Sequence, residues 1–313
     1  MPDLVTFGEG LLRLSPPHGD RLETTDELEF RVAGAESNVA IAAQRLGVDA
    51  TWLSKLPDSV LGNRVVTQIR RHGVDVRAVR SEDGRQGTYY LEQGGRPRGT
   101  NVIYDREDAA VTTATAAELD TAVIDDAALF FTTGITPALS ETLEETTSHL
   151  LDTADRTGFD LNYREKLWSR EQAGETYDRL LPKIDLLFAP ARDAREILDC
   201  SGDAEAIARE LRSTYDCETV VVTRGDEGAL AWTGVELLEQ PTFETETTDP
   251  IGTGDAFVGG YLSQDLTGGS VSDGLRYGAA TAALKRTIAG DLAVVDEHEV
   301  EAVLDDDDGG IHR

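Results

Sequence analysis

The chain has 313 residues, and its 59 acidic against 29 basic side chains leave a formal charge of −30, with a 40% hydrophobic share that is enough for a folded, soluble core. The length fits one or two domains of about 100–200 residues each, read here as one large α/β unit with an accessory piece. The charge excludes nucleic acid and anionic membranes as partners, because binding a polyanion relies on Lys and Arg displacing its counterions.

Along the chain, short β-rich runs alternate with longer helical patterns, the signature of βαβ units and a covered parallel sheet. The opening MPDLVTFGEG lacks the basic-then-apolar order of a signal peptide. No apolar run approaches the ~18 residues that a membrane helix needs, so a cytoplasmic location is expected. LVTF, Leu4 to Phe7, is the first candidate core strand. From Leu11 to Val32 the alternation breaks into extended runs separated by Gly, Pro and polar turns. It breaks again from Gln86 to Tyr104, where TYYLEQ and GTNVIY read as hairpin strands. These regions, about 11–33 and 86–106, are assigned to a small β lid inserted into the α/β core.

Between them, a helix from Ala35 to Leu46 places Val39, Ala42, Ala43 and Leu46 on one face, and ATWLSKL, Ala50 to Leu56, supplies a second core strand. Further core strands are ALFFTT (Ala128 to Thr133), GFDLN (Gly158 to Asn162), DLLFA (Asp185 to Ala189) and ETVVVT (Glu218 to Thr223). Leu143 with Leu150 and Leu151, and Ile207 with Leu211, mark helical faces between them. From Asp255 the chain turns helical, with Ala256 to Leu266 and Ser272 to Ile288 as two long segments. The acidic run Asp305 to Asp308 reads as a solvated tail.

Cys200 and Cys217 are too few for a disulfide framework or a four-ligand zinc site and read as reduced thiols. Lys55, Lys166, Lys183 and Lys285 are the only lysines, so 25 of the 29 basic residues are Arg. GC-rich coding would enrich Arg as well, but with the acid excess the pattern reads as adaptation to molar salt, where screening over ~3 Å removes self-repulsion.

Several chemistries are absent. None of the four lysines follows Gly, so there is no Walker A loop. His18, His72, His149, His298 and His312 show no metalloprotease spacing, and no G-x-S-x-G occurs. The strongest positive signal is DPIGTGDAFVGGYL, Asp249 to Leu262. Gly252, Thr253 and Gly254 form a turn ahead of a helix, so backbone N–H groups and the positive end of the dipole converge where an anion can bind. Asp255 sits in the first turn beside that anion. This is the place for a carboxylate that takes a proton from a hydroxyl attacking a phosphoryl group, although an N-terminal Asp is also favoured by the dipole alone.

GTGDAFVGGYL resembles the G-[AT]-G-D-A-F-x-x-G signature of the ribokinase-like, or PfkB, carbohydrate kinases. GAESNVA, Gly34 to Ala40, resembles that family's sugar-binding G-x-x-x-N, and VVVTRGDEGA, Val220 to Ala229, its nucleotide-binding V-T-x-G-x-x-G. The resemblance spans the chain and implies a three-layer α/β/α core with a small inserted β-sheet lid. VTFGE (Val5 to Glu9), DLNYREKLWS (Asp160 to Ser169) and IYDR (Ile103 to Arg106) resemble most the branch that phosphorylates 2-keto-3-deoxygluconate. A carboxylate substrate needs a cation, and the planar guanidinium of Arg can bind both its oxygens.

The resemblance implies that Gly34 and Asn38 contact sugar hydroxyls, that Tyr89, Tyr104 and Arg106 reach down from the lid, and that Asp291 returns to the sugar. Tyr89 and Tyr90 point to opposite faces of a strand, and Tyr89 fits the family's G-x-Y pattern. Arg164 lies between substrate and phosphates and could serve either. Asn162, Thr223, Gly225 and Gly228 would face the nucleotide, although Gly225 and Gly228 could equally form a hairpin turn. ATP with Mg2+ is the implied phosphoryl donor.

Three motifs depart from the family pattern: Ala33 replaces the first lid-hinge Gly, Pro190 to Asp193 (PARD) replaces an N-x-x-E associated with metal-bound water, and Pro250 replaces a Thr. No metal ligand is assigned. The implied activity is ATP-dependent transfer to the terminal hydroxyl of 2-keto-3-deoxygluconate, giving the 6-phosphate for a semi-phosphorylative Entner–Doudoroff pathway, with 2-keto-3-deoxygalactonate not separable from it. Rivals are a fructokinase, ketohexokinase or ribokinase acting on a neutral sugar, and a catalytically silent sugar or nucleotide sensor. The open strand edges of the lid suggest a homo-oligomer formed through it.

Overall fold

The computed structural model describes residues 1–94 and 97–307; Asp308 and His312 lie outside the described residues. Strands are β1 Leu4–Phe7, β2 Leu11–Ser15, β3 Glu29–Ala33, β4 Ala50–Pro57, β5 Asp75–Ser81, β6 Thr88–Glu92, β7 Asn101–Asp105, β8 Leu129–Thr133, β9 Thr157–Asp160, β10 Leu186–Pro190, β11 Thr219–Thr223, β12 Ala229–Trp232 and β13 Leu237–Gln240. Helices are α1 Ala35–Arg45, α2 Val60–Arg70, α3 Ala122–Asp125, α4 Glu141–Thr153, α5 Arg170–Leu180, α6 Ala191–Ile197, α7 Ala204–Tyr215, α8 Thr253–Thr267, α9 Val271–Arg286 and α10 Glu297–Asp307.

Nine strands form one sheet in the order β13-β12-β11-β10-β9-β8-β1-β4-β5, parallel from β11 to β5 and closed at one edge by the antiparallel hairpin β12–β13. The central strands read as unbroken apolar runs because both faces are covered: every residue of β1, β4 and β8 is buried. One face packs Trp52 against Val39, Leu262 and Leu275 of α1, α8 and α9. The other packs Phe130 and Phe159 against Leu150, Tyr177 and Leu211 of α4, α5 and α7. This is the ribokinase-like α/β architecture expected, with a second, four-stranded sheet in the order β3-β2-β6-β7.

The glycines of α8 decide where its first turn lands. A Cβ at Gly259 would come within 2.4 Å of the Ala42 Cβ, so only glycine lets α8 lie this close to α1. That contact brings the start of α8 beside Asn38. The helix begins at Thr253, three residues before the expected Ala256, because Gly252 at φ +81° turns the chain directly into it. Asp305 and Asp306 are exposed, but as the last turn of α10 rather than as a tail.

Candidate active site

A cavity of about 810 Å³ opens at the C-terminal ends of the parallel strands, where open α/β sheets bind their ligands. The second sheet forms one wall through Leu11, Tyr89, Leu91 and Tyr104. Gly34, Asn38, Tyr89, Tyr104, Arg106, Asn162, Arg164, Thr223, Gly252, Thr253, Gly254, Asp255 and Asp291 all line this one space.

The glycine turn is held by sterics as well as by conformation. A Cβ on Gly252 would sit 2.0 Å from the Asp291 carbonyl oxygen, and its φ of +81° disfavours any other residue. Gly254, by contrast, has open space where a Cβ would go. The first N–H groups of a helix have no intrahelical partner. Thr253 turns its own back to the Pro250 carbonyl at 3.3 Å, and its hydroxyl donates to the same oxygen at 2.7 Å. The N–H groups of Gly252, Gly254 and Asp255 are therefore the turn's open donors among the described residues.

Asn38 donates from Nδ2 to the Asp255 carboxylate at 2.7 Å and fixes its rotamer. Burial lifts the Asp255 pKa to about 6, against the lowering pull of the Asn38 bond and the Arg164 charge. Two of the further carboxyls that line the space are lifted as well. Burial, then the charges of Asp255 and Asp193, push Asp160 up to about 8, while burial pushes Glu36 to about 7 although Thr133 and Thr136 donate to it at 2.7 and 2.8 Å. Glu36, inside GAESNVA, and Asp160, opening DLNYREKLWS, carry no role in the family resemblance.

On the second-sheet side the charged groups are already paired. Arg106 donates to Glu9 at 2.8 Å and lies over the Tyr104 ring, 4.0 Å from its centroid. One terminal nitrogen of the expected substrate cation is thus engaged by an acid, a partner that sequence spacing does not reveal. Asp291 accepts from Arg13 at 2.8 Å and from the Tyr89 hydroxyl at 2.6 Å, so both its oxygens are committed. Arg13 also reaches Asp249 at 2.9 Å, tying the second sheet to the approach of the glycine turn. Tyr89, not Tyr90, faces the cavity. Arg164 stands apart: its only hydrogen bond among the described residues is to the neighbouring Tyr163 carbonyl, and it has no acid partner.

The nucleotide-side expectations divide. Thr223 lines both the main cavity and an adjoining one that Gly225 enters, next to Arg192 and Arg224. Asn162 adopts a left-handed φ of +38° at the end of β9. Gly228 lines neither cavity. At φ +84°, with the Gln240 carbonyl 2.1 Å from where a Cβ would be, it makes the β11–β12 turn instead. Among the described residues, no group of three or more His, Cys, Asp or Glu could hold a metal.

A family model described as pfkB family carbohydrate kinase matches residues 1–297. The chain is 60% identical to a 2-dehydro-3-deoxygalactonokinase of Haloferax volcanii over 99% of both chains. It is 31% identical to a 2-dehydro-3-deoxygluconokinase of Bacillus subtilis, covering 93% of this chain and 91% of that one. The crystal structure of a 2-dehydro-3-deoxygluconokinase from Thermotoga maritima superposes with a TM-score of 0.90 at 31% identity, over 96% of this chain and 97% of that one.

Proposed function

This chain belongs to the pfkB family of carbohydrate kinases, and from that we propose that it transfers the γ-phosphoryl group of ATP to the terminal hydroxyl of 2-keto-3-deoxy sugar acids, the gluconate and galactonate epimers both. The observation that carries the reading is Asp255, fixed by Asn38 beside the open first turn of α8, with Arg164 in the same cavity and without an ion pair among the described residues. The relatives named above, one galactonokinase and two gluconokinases (2-dehydro and 2-keto are the same), support the substrate class.

Asp255 takes the proton of the substrate hydroxyl. The oxygen attacks the γ-phosphorus, the bond to the β-phosphate oxygen breaks, and ADP leaves with that electron pair. The N–H groups of Gly254 and Asp255 stabilise charge on the transferred group, help of a kind worth about 3–4 kcal/mol per well-placed donor. Arg164 binds the substrate carboxylate, and Gly34, Asn38, Tyr89 and Tyr104 surround the sugar. Asp160 and Asp193 would hold a magnesium ion arriving with ATP: both are buried and line the cavity, and burial, then the charges of Asp255 and Asp193, lifts Asp160, while Asp193 also accepts from Arg192 at 3.0 Å. Such an ion is held by one or two carboxylates plus phosphates rather than by a full protein cage, and supplies charge neutralisation at the phosphates.

In this reading the second sheet, from about 11–33 and 86–106, is a lid that excludes water on closing. Its outer residues Leu28, Phe30 and Ile103 are exposed and would be covered by a second copy. The enzyme works in the cytoplasm, where ATP is supplied, and its acid excess suits molar salt.

The test is ADP release with ATP and Mg2+ in about molar KCl on 2-keto-3-deoxygluconate, 2-keto-3-deoxygalactonate, fructose and ribose. Turnover of the two acids alone is expected. Arg164→Gln should lower kcat/KM on them by about 10–100-fold, the worth of a hydrogen-bonded charge. Turnover of fructose or ribose would overturn the substrate class, and silence on all four would leave a sensor.

A further inference from the structure

Beneath the glycine turn lies a cation that the reaction above does not use. Lys285 has no solvent exposure. Its ammonium donates to the carbonyl oxygens of Asp249 at 2.9 Å and Ile288 at 3.2 Å and makes no ion pair among the described residues. Lys55 and Lys183, by contrast, pair with Glu118 and Asp152. Taking an ammonium out of water is costly unless its donors are met, and a site that needed only volume would hold Met or Leu. A cation in the last turn of α9 also gains from the helix dipole, but the neighbouring Arg286 supplies one there from the less buried side. What burial adds is the reach to Asp249.

That reach closes a junction. The N–H groups of Thr248 and Asp249 donate to the Arg286 carbonyl at 2.8 and 3.1 Å, and that of Gly290 to the Asp249 carboxylate at 3.0 Å. Gly252 sits directly against the Asp291 carbonyl. Movement of either segment therefore moves the turn. We propose that Lys285 is a positioning residue for phosphoryl transfer, its ammonium clamping the 249–252 approach to the 288–291 loop so that the first turn of α8 and the Asp255 carboxyl keep their places. The charge also acts through space. It favours ionised Asp255, a carboxyl that Arg164, Asp291, Asp160 and Glu36 face as well, so losing it moves Asp255 ionisation to higher pH.

The inference rests on the kinase reading, so the parent enzyme is assayed first on the sugar panel. Silence of the parent sinks that reading, whereas an active parent makes the variants decisive for this one. In Lys285→Met and Lys285→Ala, checked for folding by circular dichroism, kcat should fall about 100-fold, as for a misplacement of ~1 Å. KM for both substrates should stay within about threefold, and the acid limb of kcat/KM should move to higher pH. Propylammonium, but not propan-1-ol, should restore kcat in Lys285→Ala at least tenfold. A folded variant with kcat within threefold of the parent overturns the proposal, as does an unmoved acid limb or equal recovery with the alcohol. If the Ala variant folds only with an additive, recovery by the ammonium alone upholds the proposal, and recovery by both or by neither counts against it.

Discussion

Helices α8 and α9 follow each other in sequence and pack along each other, yet they begin in opposite ways. α9 starts at Ser270, whose hydroxyl accepts from the Asp273 N–H while the Asp273 carboxylate accepts from the Ser270 N–H. α8 starts at Gly252, which has no side chain to offer. The contrast extends across the molecule: α2, α4, α5 and α7 carry Ser or Asp side-chain caps, whereas α1 and α6, like α8, begin uncapped at Gly34 and Pro190. The short helix α3 also begins without a side-chain cap, at Thr121 away from the cavity, but the three uncapped starts of the longer helices, Gly34, Pro190 and Gly252, all line it. A cap is worth about 1 kcal/mol, so among its helices longer than four residues this chain forgoes that stabilisation where an N–H group can meet a ligand oxygen. Capped ends should therefore answer to stability measurements and uncapped ends to activity measurements.

The largest separation is expected at Asp255. Asp255→Asn keeps the shape of the first turn and removes its base, and should cut kcat by ~10²–10⁴ while sugar binding by calorimetry is nearly unchanged. In the parent the base must be ionised, so kcat/KM should rise with pH through about 6, where burial has placed Asp255. That limb should vanish in the variant. Normal turnover by Asp255→Asn would break the mechanism.

Gly254→Ala sharpens the comparison because it adds a methyl group to the uncapped turn that meets no protein atom within 4 Å beyond its own stretch of helix. Alanine is the better helix former by about 1 kcal/mol, so the melting temperature should hold or rise. The methyl group intrudes on the space for the transferred phosphoryl, and kcat/KM should fall by about 10²-fold, comparable with loss of one oxyanion donor. A fall in both quantities together would mean that the open space is needed by the fold.

Much of this was legible in the sequence. Strands β1, β4, β8, β9, β10 and β11 announce themselves because doubly covered strands are continuous apolar runs, and the glycine turn carries its own signature. Edge strand β5 was missed: Asp75, Arg77 and Arg80 give it the look of a loop. The pairings of Arg13 could not be read at all. In LLRLS it looks like the outward residue of an alternating strand, yet it is 3% exposed and its partners Asp249 and Asp291 are 236 and 278 positions away. Lys285 was hidden for the same reason, since only the folded chain brings it under the turn. Local periodicity encodes burial, but a charge buried by distant partners leaves no local trace.

The smallest expected effect tests the other half of the contrast. Ser270→Ala removes a side-chain acceptor and leaves the Asp273 N–H bare at an exposed helix start, costing about 1 kcal/mol of stability. For a chain of this size that lowers the melting temperature by about 2 °C. Activity should stay within about twofold of the parent, since the length of α9 keeps Ser270 roughly 22 Å from Lys285. An activity loss larger than the stability loss would show that the start of α9 is coupled to the cavity through the helix, and the division between capped and uncapped ends would then not follow function.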